Sequence, residues 1–167
     1  MKRNLLRRLL GIKMVVLDAD GVLTDGRIMK TESGEEILAF DVRDGMGINR
    51  LMKAGVEVAI LSARSSGAVA ARARELGIER VYLGRKEKGP VLEHLAGEAG
   101  VGLDAVAYLG DDLADIEAMQ KVGLPAAVAD AAPEVKEQAL LVLAKPGGKG
   151  AVRELAETIL KCRNEWP

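Results

Sequence analysis

Short apolar runs alternate along this chain with amphipathic segments that have helical spacing. The segments between the runs mostly end at glycine, which commonly terminates helices. The alternation predicts an α/β fold with a parallel sheet and helices on both of its faces. In such a sheet, ligands bind beyond the carboxyl ends of the strands. The runs are MVVLD, VEVAILS, VYLG, AVAYLG and PAAVAD.

The size of the chain predicts a single domain. Its 167 residues, of which 49% are hydrophobic, can build one core but hardly two. We therefore interpret residues 1–167 as one domain with three additions. These are an amphipathic N-terminal arm (1–11), a β-hairpin inserted after the first strand (27–41), and a Gly-rich hinge followed by a C-terminal helix (146–167).

The composition argues against several classes of partner. The formal net charge is -1 and aromatic residues make up only 2% of the chain, so we expect no nucleic-acid partner. No apolar run approaches the roughly 20 residues needed to cross a bilayer, so we expect no membrane partner. Cys162 is the only cysteine, which excludes an intramolecular disulfide framework and favours a cytoplasmic location.

Polar residues follow the predicted strands at the points where those strands end. Because the carboxyl ends of parallel strands lie at one edge of a sheet, these side chains should converge. Carboxylates so close together repel one another unless a cation lies among them. With only oxygen ligands available, the expected cation is Mg²⁺. The converging residues are Asp18, Asp20, Ser62, Lys88, Asp111 and Asp112.

This set of residues is typical of phosphoryl transfer. Asp18 would attack phosphorus and form an aspartyl-phosphate, while Asp20 would carry the proton. Ser62 and Lys88 would bind the phosphoryl oxygens where negative charge accumulates. Asp111 would complete the metal shell. The pattern predicts a Mg²⁺-dependent phosphomonoesterase.

Four ordered motifs carry a family resemblance. DADGVLTDG, ILSAR, Lys88 and GDDLAD resemble the motifs of the haloacid dehalogenase superfamily of phosphohydrolases. The resemblance implies a three-layer, Rossmann-like fold with Asp18 as nucleophile and Asp20 as general acid/base. It also implies a metal site formed by Asp18, Asp111 and the main-chain carbonyl of Asp20. Asp112 and Asp115 would be supporting carboxylates, although Asp115 fits equally well as an ordinary acid in the first turn of a helix.

A closer resemblance extends from about Ile12 to the last helix. The segments FDVRDGMGI, VAILSAR, VAYLGDD, VGLPAAVADA and GGKGAVRE are similar to the 3-deoxy-D-manno-octulosonate 8-phosphate phosphatase family. This resemblance implies a phosphorylated sugar acid as substrate and a role in lipopolysaccharide precursor biosynthesis. It also implies a protein without a cap domain that forms homotetramers, in which hairpins pack together and neighbouring subunits close each active site.

The family resemblance also implies substrate-binding positions. Related phosphatases that act on nine-carbon sialic-type acid 9-phosphates often have Glu at the position of Arg64, so Arg64 favours the eight-carbon acid. The second motif has Ser62 and Ala63 where Thr and Gly are common, and Asn49 replaces an Arg found in many relatives. The implied substrate-binding residues are Asp41, Arg43, Asp44, Gly45, Arg64, Arg72 and the phosphate-binding Lys88; for Arg43 and Arg72 an ordinary surface role fits equally well.

Two functions of other classes fit parts of the pattern. A phosphoacceptor signalling domain also combines an acidic pocket, a hydroxyl residue and a lysine on an α/β sheet. Receiver domains usually have the acceptor Asp after the third strand, whereas here that strand is followed by LGRKEKG. A noncatalytic regulatory subunit is the other alternative, and the intact acids and Lys88 argue against it.

Overall fold

The structure is a computed structural model that describes residues 3–166, apart from the side chain of Arg3. Its strands are β1 (Met14–Leu17), β2 (Met29–Lys30), β3 (Glu36–Ile37), β4 (Glu57–Leu61), β5 (Arg80–Tyr82), β6 (Val106–Gly110), β7 (Leu124–Ala127) and β8 (Leu141–Val142). Its α-helices are α1 (Arg3–Gly11), α2 (Val42–Lys53), α3 (Gly67–Leu76), α4 (Lys88–Glu98), α5 (Ile116–Met119), α6 (Pro133–Gln138) and α7 (Ala151–Cys162). Short 3₁₀ turns cover Leu103–Ala105 and Leu113–Asp115.

A six-stranded parallel sheet forms the centre of the protein, in the order β5-β4-β1-β6-β7-β8. All four residues of β1 are buried, because the strand lies between β4 and β6 with helices on either side. The predicted α/β fold with a parallel sheet is confirmed. The short edge strand β8 was not predicted, because its two residues are too few to give a periodic signal.

Two groups of helices flank the sheet. Helices α1, α2, α3 and α7 form one group, and α4, α5 and α6 form the other. The predicted N-terminal arm corresponds largely to α1, where Leu9 is fully buried; residues 1 and 2 lie outside the described part of the chain. No helix within residues 3–166 is long and apolar enough to cross a membrane.

The predicted hairpin is present, and it is small. β2 and β3 pair antiparallel through Met29 with Ile37 and Lys30 with Glu36, separate from the main sheet. A two-stranded hairpin of this size has little stability of its own. Ile28, Met29 and Ile37 leave 46%, 53% and 49% of their surface exposed.

The Gly-rich segment before α7 is packed against the loop that follows β1. The N–H of Gly148 donates to the carbonyl of Val22 over 2.9 Å, and the N–H of Gly147 donates to the carboxylate of Asp130. A Cβ at Gly147 would lie only 1.7 Å from the carbonyl oxygen of Gly21. The sequence suggested a hinge, whereas in the structure these glycines allow two backbones to approach closely. Residue 167, the end of the predicted C-terminal segment, lies outside the described residues.

Candidate active site

A pocket opens at the carboxyl ends of the central strands, as the sequence predicts. It lies beyond β1, β4 and β6, and the first residue of α4 also contributes to it. All of the residues proposed for phosphoryl transfer line this one pocket. Its lining residues are Asp18, Asp20, Gly26, Ser62, Ala63, Arg64, Lys88, Asp111, Asp112, Ala114 and Asp115.

Lys88 lies at the base of the pocket between two carboxylates. Its Nζ donates to Asp18 Oδ1 over 2.7 Å and to Asp115 Oδ1 over 2.6 Å, and only 2% of the residue is exposed. Burial lowers the pKa of Lys88, but the two carboxylates outweigh burial and leave the pKa above its ordinary value. The ammonium therefore stays charged. Although Lys88 follows Arg85 and Lys86 in the sequence, its side chain is buried and is not part of a solvated basic loop.

Asp115 is the most completely hydrogen-bonded carboxylate of the site. Besides Lys88, its Oδ1 accepts from the hydroxyl of Tyr108 over 2.6 Å, and its Oδ2 accepts from the N–H groups of Asp111 and Asp112. The residue is 0% exposed. Asp115 therefore fixes the loop after β6 and the position of Lys88, which an ordinary first-turn acid would not do.

Tyr108 is a site residue that cannot be recognised from the sequence alone. Its side chain is fully buried, and burial followed by the charge of Asp115 raises its pKa well above the ordinary value. Tyr108 therefore remains a neutral donor to Asp115. The sequence offered no signal, because a tyrosine inside an apolar strand reads as a core residue.

Asp111 has the features of a metal ligand. Its Oδ1 is buried and has no hydrogen-bond partner among the described residues. One carboxylate oxygen from each of Asp18, Asp111 and Asp115 lies within 4.8 Å of the other two. Burial, followed by repulsion from Asp18 and Asp115, raises the pKa of Asp111 to about 8. Burial and then repulsion from Asp115 raise the pKa of Asp18 to about 6, against the opposing effect of Lys88.

These carboxylates fit a hard divalent cation. A cation among them would relieve the repulsion and provide the partner that Asp111 Oδ1 lacks. Since both oxygens of Asp115 already accept two hydrogen bonds each, Asp18 and Asp111 have the oxygens that remain free. Asp115 thus holds Lys88 and the loop after β6 in place, and its role as a supporting carboxylate in catalysis stays a prediction.

Asp20 lies apart from this carboxylate cluster. Its Oδ2 accepts from Arg64 Nε over 2.9 Å and its Oδ1 from Arg64 Nη2 over 2.6 Å, a bidentate ion pair. A further nitrogen of Arg64, Nη1, donates to Glu36 on β3. The sequence does not reveal a role for Glu36, because nothing local relates a hairpin residue to the loop after β4.

The loop after β1 is fixed by the side chain of Thr24 and by glycine. Thr24 Oγ1 accepts from the N–H groups of Gly21 and Gly26. Gly21 has a φ of 80°, and a Cβ there would lie 1.9 Å from Asp111 Oδ2. Only glycine leaves room for the Asp111 carboxylate at this position.

Ser62 and Asp112 lie at the pocket with local hydrogen bonds. Ser62, at the end of β4, is buried, and its Oγ accepts from the N–H of Arg64 over 3.3 Å. Asp112 accepts from the N–H of Leu113 and caps the 3₁₀ turn that follows. Asp112 therefore caps this turn without any contribution from a ligand or a second subunit.

The other predicted substrate-binding residues do not line this pocket. Asp41 caps α2 and pairs with Arg43 over 2.6 Å, and Arg72 pairs with Glu75 over 2.8 Å. Gly45 lies against the Arg72 guanidinium. Within one chain these residues have partners of their own, and their contact with substrate remains a prediction.

Asp44, also predicted to bind substrate, is buried at the start of α7. Its carboxylate accepts from the N–H groups of Gly150 over 3.2 Å and Arg153 over 2.8 Å. Burial raises the pKa of this carboxyl above its ordinary value, against the opposing effect of these two hydrogen bonds. The structure thus gives Asp44 a helix-capping role between α2 and α7.

Comparison with known proteins identifies the family. A family profile described as haloacid dehalogenase-like hydrolase matches residues 81–155. The 3-deoxy-D-manno-octulosonate 8-phosphate phosphatase of Haemophilus influenzae is 43% identical over 159 residues, which cover 95% of this chain and 88% of the relative. The chain belongs to the 3-deoxy-D-manno-octulosonate 8-phosphate phosphatase family. The resemblance drawn from the four motifs is confirmed, and so is the assignment to the phosphoric monoester hydrolases.

Solved structures support membership in this phosphatase family. The crystal structure of the Yersinia pestis phosphatase of the same name has a TM-score of 0.95 and 39% identity, and the match covers 98% of this chain and 88% of that one. The Moraxella catarrhalis phosphatase, solved in complex with magnesium ion, phosphate ion and KDO, has a TM-score of 0.95 and 36% identity. That match covers 98% of this chain and 94% of the other.

Proposed function

We propose that this chain hydrolyses 3-deoxy-D-manno-octulosonate 8-phosphate to the free sugar acid and inorganic phosphate, with Mg²⁺ as cofactor, as a step in lipopolysaccharide precursor synthesis. The observation that carries the proposal is the buried Asp18–Lys88 pair beside the unpartnered Asp111 oxygen. Family membership and the Moraxella catarrhalis complex support the choice of substrate and cofactor.

Mg²⁺ would be held by the carboxylates of Asp18 and Asp111 and by the main-chain carbonyl of Asp20. When bound, it supplies positive charge that neutralises the phosphoryl oxygens and the crowded carboxylates. The chain itself binds the same oxygens through the Lys88 ammonium and the Ser62 hydroxyl.

Asp18 and Asp20 would divide the chemistry. A carboxylate oxygen of Asp18 forms a bond to phosphorus as the bond from phosphorus to the sugar oxygen breaks, and Asp20 gives its proton to that oxygen. Water then attacks the phosphorus of the aspartyl-phosphate and gives a proton to Asp20. This second displacement releases phosphate and restores Asp18.

Arg64 would bind the carboxylate of the sugar acid. Three of its five N–H donors are used by Asp20 and Glu36, and the other two have no protein partner within residues 3–166. Arg64 lines the pocket beside Asp18, so these two donors are available to a ligand there.

We further propose a cytoplasmic homotetramer in which a neighbouring subunit completes each site. Arg43, Lys149 and Arg153 line a second pocket at the start of α7, away from Asp18. This basic surface suits the acidic sugar bound in a neighbour's site. The half-exposed apolar side chains of the hairpin suit contact between subunits.

The proposal is tested with a panel of phosphate esters. We expect kcat/KM to be highest for 3-deoxy-D-manno-octulosonate 8-phosphate, lower for sialic-type 9-phosphates and simple sugar phosphates, and lost in EDTA until Mg²⁺ is restored. Asp18→Asn should abolish hydrolysis with the fold intact, whereas Asp104→Asn, at an exposed aspartate, should leave it unchanged. A stable phosphorylated chain without turnover would instead support a phosphoacceptor domain.

A further inference from the structure

The inserted hairpin reaches the active site through one side chain. Glu36 lies on β3 and is partly buried, whereas its neighbour Glu35 is exposed. The carboxylate of Glu36 accepts from Ser66 Oγ and from Arg64 Nη1. Ser66 is the N-cap of α3, so Glu36 is tied to a fixed point of the main domain.

Arg64 connects Glu36 to Asp20. Asp20 takes the edge of the guanidinium formed by Nε and Nη2, and Glu36 takes a donor on Nη1. The Arg64 side chain is about one third exposed and would have considerable rotamer freedom with a single partner. With carboxylates on both sides, the plane of the guanidinium is fixed, and with it the position of the Asp20 carboxylate.

We propose that Glu36 is a positioning residue: by holding Arg64 from the hairpin side, it keeps the carboxyl group of Asp20 aligned with the leaving-group oxygen. The inference rests on the phosphatase activity proposed above. Catalysis by a general acid depends steeply on its placement, and small displacements by remote groups cost large factors in rate. Hydrogen bonds from Ser66 and then Arg64 hold the pKa of Glu36 below its usual range, which keeps Glu36 an anion opposite the guanidinium.

A purely structural ion pair would have different consequences. If Glu36 only anchored the hairpin, its removal would lower stability and affect all substrates alike. If Glu36 positions Asp20, its removal should lower kcat/KM most for substrates whose leaving group needs a proton. Phenyl phosphate has such a leaving group, whereas p-nitrophenyl phosphate releases a stable phenolate that needs little protonation.

The first experiment compares kcat/KM of Glu36→Ala with that of wild type on these two esters in saturating Mg²⁺. This ratio reports the steps up to departure of the leaving group. We expect a loss of about tenfold or more with phenyl phosphate and less than about threefold with p-nitrophenyl phosphate. Glu36→Gln, which retains an acceptor oxygen for Arg64, should recover part of the loss. Glu35→Ala on the same hairpin should match wild type.

The second experiment repeats the Glu36 change in an Asp20→Asn background, with thermal unfolding measured for every variant. Without the Asp20 carboxyl group, the Glu36 substitution should lower kcat/KM for phenyl phosphate by less than about twofold. Equal losses on both esters, or equal losses in both backgrounds, would overturn the inference and leave the phosphatase proposal standing. A wild-type chain without activity on any phosphate ester would overturn the proposed function and this inference together.

Discussion

At the residue scale, the charges of the site do not balance within the protein. Lys88 pairs with Asp18 and Asp115, so one ammonium serves two carboxylates, and Asp111 has no cationic partner among the residues that the structure describes. Burial, followed by repulsion from Asp18 and Asp115, accounts for the raised pKa of Asp111. The three carboxylates therefore outnumber the single ammonium at the position where a divalent cation fits.

Gly21 provides a test of how closely this site is packed. We expect Gly21→Ala to weaken Mg²⁺ binding and lower kcat by about tenfold or more, because a methyl group there would displace the Asp111 carboxylate. Gly34→Ala is the matched control. Gly34 also has a positive φ, 85°, but a Cβ there would meet nothing within 4 Å. Mg²⁺ titrations of activity check the prediction, which fails if both variants lose activity equally.

The raised pKa values predict how Mg²⁺ binding depends on pH. In the metal-free protein the pKa values of Asp111 and Asp18 are about 8 and about 6, above the ordinary 3.8 of an aspartate. Because the folded state holds these protons more tightly than the unfolded state, their contribution to stability decreases as the pH rises toward 8. Mg²⁺ must displace the same protons, so it competes better at high pH.

We therefore expect Mg²⁺ to raise Tm more at about pH 8.5 than at about pH 5.5, and to bind at least about tenfold more tightly at the higher pH. Thermal unfolding in EDTA and in saturating Mg²⁺ measures the shift. Asp111→Asn should raise Tm of the metal-free protein at the higher pH and remove most of the Mg²⁺ effect. An equal shift at both pH values would contradict the assignment of these carboxylates.

At the level of elements, α2 and α7 are joined by a cap that one helix provides for the other. The N-cap of α7 is Gly150, which has no side chain to accept a hydrogen bond. Asp44 on α2 does so instead, and accepts from the N–H groups of Gly150 and Arg153. A Cβ at Gly47 would lie 2.9 Å from the Cα of Arg153, so the two helices are in close backbone contact. The two helices carry Arg43 and Arg153 of the second pocket, and the loop before α7 carries Lys145 and Lys149.

We expect Asp44→Ala to lower the free energy of unfolding by about 2 kcal/mol, because two N–H groups at a buried helix start lose their acceptor. Asp44→Asn, which keeps one acceptor oxygen, should cost less, and Asp104→Ala at an exposed site almost nothing. Chemical denaturation measures the differences. If Asp44→Ala instead raised KM for the sugar acid and left stability unchanged, the substrate role implied by the family resemblance would be the right one.

The elements also show which parts of this structure a sequence can specify. The parallel sheet and the convergence of Asp18, Ser62 and Asp111 follow from strand ends that can be read locally. The ties from Glu36 to Arg64 and from Asp44 to Gly150 join residues far apart in the chain, and no local pattern encodes them. Tyr108 is not recognisable for a different reason. It differs from an ordinary core residue only by its hydroxyl, and the sequence does not show that this hydroxyl donates to the buried Asp115.

At the level of the whole molecule, two separate pockets divide the charged residues of the described chain. One contains the groups proposed for phosphoryl transfer, and the other contains the cations at the start of α7. The hairpin contacts the active-site pocket on one side and is exposed on the other, because Glu36 accepts from Arg64 while Ile37 is half-exposed. Assembly through the exposed side of the hairpin would therefore also affect the position of Arg64.

We expect the double change Met29→Glu and Ile37→Glu to dissociate the proposed homotetramer, because charges would replace two of the half-exposed apolar side chains of the hairpin. Light scattering should show wild type at about four times the 17.7 kDa chain mass and the variant at a lower multiple. Leu140→Glu, at an apolar residue that is 40% exposed and outside the hairpin, is the control and should remain assembled.

The dissociated variant should lose most of its activity on the sugar-acid phosphate and less on p-nitrophenyl phosphate, which has no carboxylate for a neighbouring subunit to bind. A monomeric wild type with full activity would exclude both the assembly and the shared site.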